Sequence, residues 1–184
     1  MSEGLRQLWA GWRKEYVAAV TAPAKEAEAG SRSSHEALPT AECVFCRIVA
    51  SGPPSVDNGI VWRGERSVAV LNAYPYASGH LLVMPVRHVG PLHDLSPAES
   101  AELWETTRSA VDAIIAGYRP DGVNLGANLG KAAGAGIPEH VHLHVLPRWL
   151  GDTNFMTTVA GVRVIPETLE GAWKTLTAAW PSSH

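Results

Sequence analysis

Long apolar runs are missing from this 184-residue sequence. No stretch approaches ~18 consecutive apolar residues, so no segment is predicted to span a membrane. An excess of positive charge is missing as well: the formal net charge is −3, which argues against nucleic acid as a partner but leaves a locally bound nucleotide possible. The first 16 residues carry charges where a signal peptide needs an apolar core, so we expect a cytoplasmic protein.

Cysteine is scarce. The two cysteines, Cys43 and Cys46, lie in the run ECVFCRI, and they are too few for a disulfide framework. A CxxC pair in a chain without a signal sequence is typical of half a zinc site or of a redox pair, and two unrelated buried thiols are the third interpretation. The choice depends on whether histidines elsewhere in the chain supply further ligands.

Composition divides the chain into three parts. Residues 1–20 are predicted to hold a docking helix, because large apolar residues recur there at helical spacing. These residues are Leu5, Leu8, Trp9, Trp12, Tyr16 and Val20. Residues 21–42 are rich in Ala, Glu, Ser and Pro, which predicts a flexible linker. The compact domain is expected at 43–184.

Strand and helix patterns alternate within the compact domain. Strands are predicted at 60–62, 67–72, 80–85, 122–128 and 141–147, with a further strand or two in 157–166. A helix with a capping box is predicted to start at Ser96, Pro97 and Glu99. Its predicted buried stripe is Trp104, Thr107, Val111, Ile114 and Tyr118. With a terminal helix at 167–180, this order predicts an α+β fold: a mainly antiparallel sheet with one long helix packed on it and a C-terminal helix.

Three histidines alternate with apolar residues in the run EHVHLHVLPRW. On a strand, His140, His142 and His144 share one face, and the intervening apolar side chains point to the other. Residues i and i+2 are ~6.6–6.8 Å apart, so two of these imidazoles can converge on one metal ion. The outer two are ~13 Å apart, which disfavours one ion held by all three. An HxH metal site stays open.

The segment before the histidines is a Gly/Ala loop, LGKAAGAGIPE. Gly130, Gly134 and Gly136 leave backbone N–H groups free of side-chain obstruction, as an anion cradle requires. A flexible turn chosen for its length is the alternative. Asn128 before the loop and the histidines after it supply many donors and few carboxylates. That combination favours a bound phosphate.

These motifs occur together in a known family. NAYPYASGHLLVMP followed by HVHLHVLPR resembles the histidine triad (HIT) superfamily of nucleotide hydrolases and transferases, over roughly residues 43–165. The runs LWAGWRKEY and PRWLGDTNFM also resemble the branch that includes actinobacterial diadenosine tetraphosphate phosphorylases. The resemblance implies a HIT-like fold, an enzyme that cleaves at the α-phosphate of a dinucleoside polyphosphate or related nucleotide conjugate, and a homodimer.

The resemblance also assigns catalytic roles to three histidines. It implies that His142 attacks the α-phosphorus and forms a covalent nucleotidyl-histidine, while His144 hydrogen-bonds the phosphate or bridging oxygen and His80 supports the triad. A neutral imidazole near its ~6.5 reference pKa is available at pH 7, and this chemistry needs no catalytic metal. The implied nucleotide-binding residues are Asn72 at the ribose and, with His142 and His144 at the phosphates, Asn128, Gly134 and Gly136. Relatives often carry Ser or Gln where this chain has Gly136 and Ile137, so a side-chain donor to the leaving group is missing.

The CxxC pair gains partners from the same resemblance. Some bacterial members bind structural zinc through residues that match Cys43, Cys46, His88 and His140 here.

The expected partners are small nucleotides: AMP, ADP or a dinucleoside polyphosphate. Two other classes stay open, a non-catalytic nucleotide-binding module and a metal-dependent enzyme that uses the HxH histidines as ligands.

Overall fold

A computed structural model describes residues 43–152 and 167–182 of the chain. The predicted docking helix within 1–20, the linker at 21–42 and the strands predicted in 157–166 lie outside the described residues. In the described residues, no helix is long and apolar enough to cross a membrane.

The described residues form a five-stranded antiparallel sheet at the centre of the domain, with strand order β1-β2-β3-β5-β4. The elements in chain order are α1 (Val44–Ala50), β1 (Ile60–Arg63), β2 (Ser67–Leu71), β3 (Leu81–Pro85), α2 (Pro97–Tyr118), β4 (Gly122–Gly126), β5 (Leu143–Arg148) and α3 (Leu169–Ala179). The α+β class, the long helix and the C-terminal helix are confirmed. Helix α1 was not predicted.

The sheet buries both faces because alternate residues of β2 and β3 point to opposite sides. On one side, Ala69, Leu71, Leu81 and Val83 pack against α2 and α3. On the other side, Val68, Val70, Leu82 and Met84 pack against α1. All five residues of each strand are therefore buried, as in a sheet covered by helices on both faces.

Helix α2 begins as predicted, and most of its predicted stripe faces the core: Thr107 and Ile114 are buried, and Val111 and Tyr118 are partly buried against it. Ser96 and Glu99 form the capping box, and Pro97 occupies the first helical position. The predicted burial of Trp104 is wrong, since Trp104 is 54% exposed. The stripe that packs on the sheet is rich in small residues, which let the helix approach closely; it consists of Leu103, Thr106, Thr107, Ala110, Ala113 and Ile114.

The last two strands also differ from the predictions. β4 lies at the edge of the sheet and is mostly exposed rather than half-buried, with Leu125 at 43%. β5 starts at Leu143, two residues later than predicted, so only the third histidine lies within a strand. Leu82 and Gly126 both pair with His144, one from each neighbouring strand. This pairing fixes His144 in the centre of the sheet.

Candidate active site and metal centre

The first two histidines lie just before β5, where the chain leaves the sheet ladder. The Val141 N–H donates to the Val89 carbonyl at 2.8 Å, a bond that draws this segment toward the end of β3. His140 and His142 still lie on the α1 side, because both rings make edge-to-face contacts with Phe45 of α1. The face shared by the histidines is therefore as predicted, although the strand is shorter.

Four possible metal ligands meet at the start of α1. Cys43 is the N-cap of α1 and Cys46 lies in its first turn, so both thiols are at the same end of the helix. His88 follows β3, and His140 precedes β5. One ligand atom from each of the four lies within 4.8 Å of the others. The predicted set Cys43, Cys46, His88 and His140 is thus brought together by the fold.

Hydrogen bonding orients His140 toward the thiols. Its Nε2 lies 2.9 Å from the carbonyl oxygen of Pro85, an obligatory acceptor, so Nε2 carries the proton and Nδ1 carries a lone pair. That Nδ1 lies 3.6 Å from the Sγ atoms of both Cys43 and Cys46. The carbonyl thus fixes the tautomer that a metal ligand requires. His140 is fully buried, and its Nδ1 faces the two thiols.

The middle histidine has the opposite tautomer. The Nδ1 of His142 lies 2.9 Å from the carbonyl oxygen of His140, so Nδ1 donates and Nε2 is left with a free lone pair. The bond spans only two residues, which makes it a local consequence of the backbone conformation at 140–142. A lone pair on Nε2 is what a nucleophilic histidine needs.

The third histidine belongs to a hydrogen-bond chain that starts in the β2–β3 loop. The Tyr76 backbone N–H donates to His80 Nδ1 at 3.1 Å, which makes Nδ1 an acceptor and puts the proton of His80 on Nε2. His80 Nε2 then donates to His144 Nδ1 at 3.0 Å. His144 must in turn carry its proton on Nε2. Among the described residues this buried Nε2 has no hydrogen-bond partner, so its N–H is available to donate to a ligand.

Asn72 closes the same loop. Its side-chain oxygen accepts the Tyr74 backbone N–H at 3.0 Å, and its amide nitrogen lies 3.3 Å from His80 Nδ1. The turn role of Asn72 is therefore present in the structure, and the amide keeps capacity for a further hydrogen bond. Its role at a ribose stays a prediction.

The glycine loop begins beside the histidines. Gly126 pairs with His144, and Asn128 follows two residues later. Gly130 and Gly134 adopt positive φ values of 81° and 92° on either side of a one-turn 3-10 helix, conformations that favour glycine. Gly136 is exposed. The phosphate-binding roles of Asn128, Gly134 and Gly136 stay predictions.

Burial favours the neutral form of His140, His142 and His144 because it lowers the pKa of each ring. Desolvation lowers the pKa of His140 to about 4 and, with a smaller effect of charge on His142, lowers the pKa of His144 to about 4. Desolvation also lowers the pKa of His142. At pH 7 the site therefore presents a lone pair on His142 Nε2 and an N–H donor on His144 Nε2, with the two rings 5.1 Å apart. A nucleophile and a proton donor side by side suit group transfer.

Two residues at this site were missed by the sequence analysis. Phe45 packs its ring against His140 and His142, and the Tyr76 ring lies against both His80 and His144. Both lie within quoted motifs, Phe45 in ECVFCRI and Tyr76 in NAYPYASGHLLVMP, but neither motif assigned the aromatic ring a role. Only the fold brings them to the histidines.

Comparisons with known proteins agree with this geometry. The HIT domain family model matches residues 54–149. The chain is 42% identical over 177 residues to the AP-4-A phosphorylase of Mycobacterium tuberculosis, covering 96% of this chain and 85% of that protein. It is 35% identical over 97 residues to the asymmetrical bis(5'-nucleosyl)-tetraphosphatase of Schizosaccharomyces pombe, covering 53% of each.

A solved structure has the same fold. A Zn-bound histidine triad family protein from Mycobacterium smegmatis superimposes with a TM-score of 0.62 at 32% identity, covering 77% of this chain and 94% of that one. The resemblance found in the sequence is thereby confirmed. The family match spans more than half of the chain, and the chain belongs to the HIT family.

Proposed function

We propose that this HIT protein is an enzyme that cleaves a dinucleoside polyphosphate at the α-phosphate, through a covalent nucleotide on His142. The observation that carries the proposal is the pair of opposite tautomers. His142 has its proton on Nδ1 and a lone pair on Nε2, whereas His144 has its proton on Nε2. A nucleophile and a donor for the leaving group therefore stand next to each other without a charge on either.

The first step forms one bond and breaks one. The His142 Nε2 lone pair attacks the α-phosphorus, and the bond from that phosphorus to the bridging oxygen breaks. The electron pair leaves with the polyphosphate, whose oxygen accepts a hydrogen bond from His144 Nε2–H. With diadenosine tetraphosphate the products of this step are ATP and adenylylated His142. The His140 carbonyl stabilises the positive charge that develops on the His142 ring, since its oxygen accepts a hydrogen bond from Nδ1–H with 2.9 Å between nitrogen and oxygen.

The second step releases the nucleotide to inorganic phosphate. A phosphate oxygen attacks the same phosphorus, the nitrogen–phosphorus bond breaks, and ADP leaves. We favour phosphate over water as the acceptor because the phosphorylase relative aligns over 96% of the chain, against 53% for the tetraphosphatase relative. Asn72 at the ribose, and Asn128, Gly134 and Gly136 at the phosphates, complete the proposed binding site.

We also propose that the four-ligand cluster binds structural zinc. Two thiols and two imidazoles are a usual closed zinc set, with Zn–S of ~2.3 Å and Zn–N of ~2.0–2.1 Å. A tetrahedral angle between such bonds puts sulfur and nitrogen ~3.6 Å apart. Both Sγ–Nδ1 separations at His140 are 3.6 Å. The ion would anchor α1 to the segment before β5, and no step of the reaction passes through it.

Burial makes the cluster unfavourable for free thiolates. Desolvation, followed by a hydrogen bond to and charge on Cys43, raises the pKa of Cys46 to about 11. A bound cation reverses this effect because it stabilises the thiolate directly. His88 adds a buried Nε2 that has no hydrogen-bond partner among the described residues, while its Nδ1 lies 3.2 Å from Cys46 Sγ.

A homodimer is part of the proposal. Among the described residues β4 is an edge strand with mostly exposed residues, and we propose that its outer side pairs with β4 of a second copy. Light scattering after size exclusion should give twice the mass of one chain, and Leu125→Glu should give a monomer because two carboxylates would meet at the shared edge. A monomeric wild-type protein at micromolar concentration rejects the dimer.

Product analysis tests the activity. The protein is incubated with diadenosine tetraphosphate, with and without inorganic phosphate, and the nucleotides are separated. ADP plus ATP, formed only with phosphate, supports the phosphorylase; AMP plus ATP shows that water is the acceptor. Binding without turnover would make the chain a nucleotide-binding module, and turnover lost in step with chelated metal would favour the HxH metalloenzyme.

The covalent step has its own test. Wild-type protein is mixed with substrate labelled in the α-phosphate and quenched without phosphate, and His142→Asn is treated in parallel. We expect acid-labile label on the wild type and none on the variant, while equilibrium dialysis shows that the variant still binds the nucleotide. Turnover by His142→Asn, or label on another residue, would refute the covalent role of His142.

A further inference from the structure

Tyr76 contacts both ends of the hydrogen-bond chain that runs through His80 to His144: its backbone N–H begins the chain, and its ring lies against His144. Its backbone N–H donates to His80 Nδ1 at 3.1 Å. Its ring is tilted against the His80 ring with centroids 4.7 Å apart, and it is stacked on the His144 ring at 5.9 Å with only 14° between the planes. One loop residue thus contacts both histidines of the relay.

The hydrogen bond from His80 leaves one freedom of His144 uncontrolled. A bond to Nδ1 selects the tautomer, but a single neutral hydrogen bond holds the ring only weakly against tilt by rotation about the Cβ–Cγ bond. The direction of the Nε2–H depends on that plane. Two rings are close enough to oppose that tilt: the nearly parallel Tyr76 ring, and the His142 ring at 61° and 5.1 Å. The plane of His144 therefore depends on its contacts with Tyr76 and with the proposed nucleophile.

We propose that Tyr76 is a positioning residue that acts through His144: its ring holds the imidazole in the plane that aims Nε2–H at the leaving oxygen. The proposal rests on the proposed function for its catalytic consequence, and on the ring geometry for its physical content. The positioning role uses the ring of Tyr76 and not its hydroxyl. Phenylalanine at position 76 should therefore keep the activity, whereas leucine, which has no ring, should not.

Kinetics with two leaving groups separate positioning from general damage. The variants are Tyr76→Phe, Tyr76→Leu and, as a matched control, Tyr74→Leu. Tyr74 is in the same loop and is 85% exposed, and the described residues show no ring contact between it and a histidine. The substrates are diadenosine tetraphosphate and the p-nitrophenyl ester of AMP, whose leaving group departs without a donated hydrogen bond.

We expect Tyr76→Leu to lower kcat/KM by about 3- to 10-fold on diadenosine tetraphosphate, the range that loss of one aromatic contact gives, and by less than about 2-fold on the ester. Tyr76→Phe and Tyr74→Leu should match the wild type on both substrates. Equal losses on the two substrates would overturn the proposal, as would a Tyr76→Phe as impaired as Tyr76→Leu. A loss confined to KM would also overturn it, since it would mean that Tyr76 binds substrate directly.

Nitrogen NMR of the histidine rings tests the geometry without any turnover. In wild type and Tyr76→Phe, we expect His144 to show a single tautomer with its proton on Nε2. In Tyr76→Leu its two nitrogen signals should shift toward those of a tautomer mixture, because a tilted ring breaks the bond to His80. An unchanged His144 signal in Tyr76→Leu would refute the positioning role. If the wild type turns over no adenylylated substrate, the proposed function fails, and this measurement still decides the role of Tyr76.

Discussion

His80 is the position at which folding and chemistry can be separated by substitution. It is fully buried, and its ring nitrogens have different partners: Nδ1 accepts from the Tyr76 backbone N–H, and Nε2 donates to His144. Asparagine and glutamine each imitate one nitrogen. The side-chain oxygen of Asn reaches the Nδ1 position and accepts from Tyr76, whereas the amide nitrogen of Gln reaches the Nε2 position and donates to His144.

The two variants should lose similar stability but different activity. Each removes a partly buried hydrogen bond of His80, the bond to His144 in the Asn variant and the bond from Tyr76 in the Gln variant, which costs about 1–3 kcal/mol of unfolding free energy. The Asn variant lies toward the upper end because it also empties part of the imidazole volume. General acid–base catalysis contributes about 10²–10⁴-fold to a rate. We expect the kcat of His80→Asn to fall by about 10- to 100-fold, because no donor then sets the His144 tautomer. In His80→Gln the donor remains, and kcat should stay within about 5-fold of the wild type.

The assay combines urea unfolding with steady-state turnover of diadenosine tetraphosphate in phosphate buffer. His93→Gln is the control, since His93 is exposed and, within the described residues, its one ion-pair partner is Asp94, with 3.6 Å between Nε2 and Oδ1. It should change neither quantity. Equal kcat values for His80→Asn and His80→Gln would refute the tautomer argument, and so would a Gln variant slower than the Asn variant.

Three further outcomes follow from the same contacts. EDTA should lower the Tm of the wild type but not the kcat of protein that remains folded, and Cys46→Ser should remove the EDTA effect in calorimetry. Gly79→Ala should cost about 2–4 kcal/mol in urea unfolding, because Gly79 has φ of 71° and a methyl group would strike the Tyr118 ring; Gly122→Ala, with nothing within 4 Å, is the control. Burial lowers the pKa of His144 to about 4, so the unfolded chain binds more protons between about pH 4 and 6.5. Stability should therefore be full above pH ~6.5 and fall toward pH 4, less steeply in His144→Gln.

Local patterns predicted the elements well where one residue pattern had one structural meaning. The capping box at Ser96 and Glu99 was found as predicted because its hydrogen bonds involve only neighbouring residues. The hairpin of β1 and β2 was likewise found close to its predicted limits. The buried face of α2 was predicted in part, since Thr107 and Ile114 are buried as expected but Trp104 is exposed. The apolar pattern did not single out the small residues Ala110 and Ala113, which are also buried in this face.

The late start of β5 has a cause outside the local sequence. Histidine and apolar residues alternate in the same way before and after Leu143. The alternation therefore predicts one continuous strand over 141–147. The structure ends the ladder at Leu143, where Val83 is the last partner from β3. Before that point Val141 bonds to Val89, a residue 52 positions away in the chain. Short-range patterns carry no information about such a partner.

Three identical side chains acquire different chemistry from three backbone surroundings. His140 donates a hydrogen bond from Nε2–H to the Pro85 carbonyl and turns Nδ1 to the thiols. His142 donates from Nδ1–H to the His140 carbonyl and keeps a lone pair on Nε2. His144 accepts at Nδ1 from His80 and carries its proton on Nε2. An HxHxH motif alone permits any of these patterns. The Pro85 carbonyl at the end of β3 sets the tautomer of His140, and the loop before β3 sets that of His144 through His80, so the residues that flank β3 belong to the site as much as the triad does.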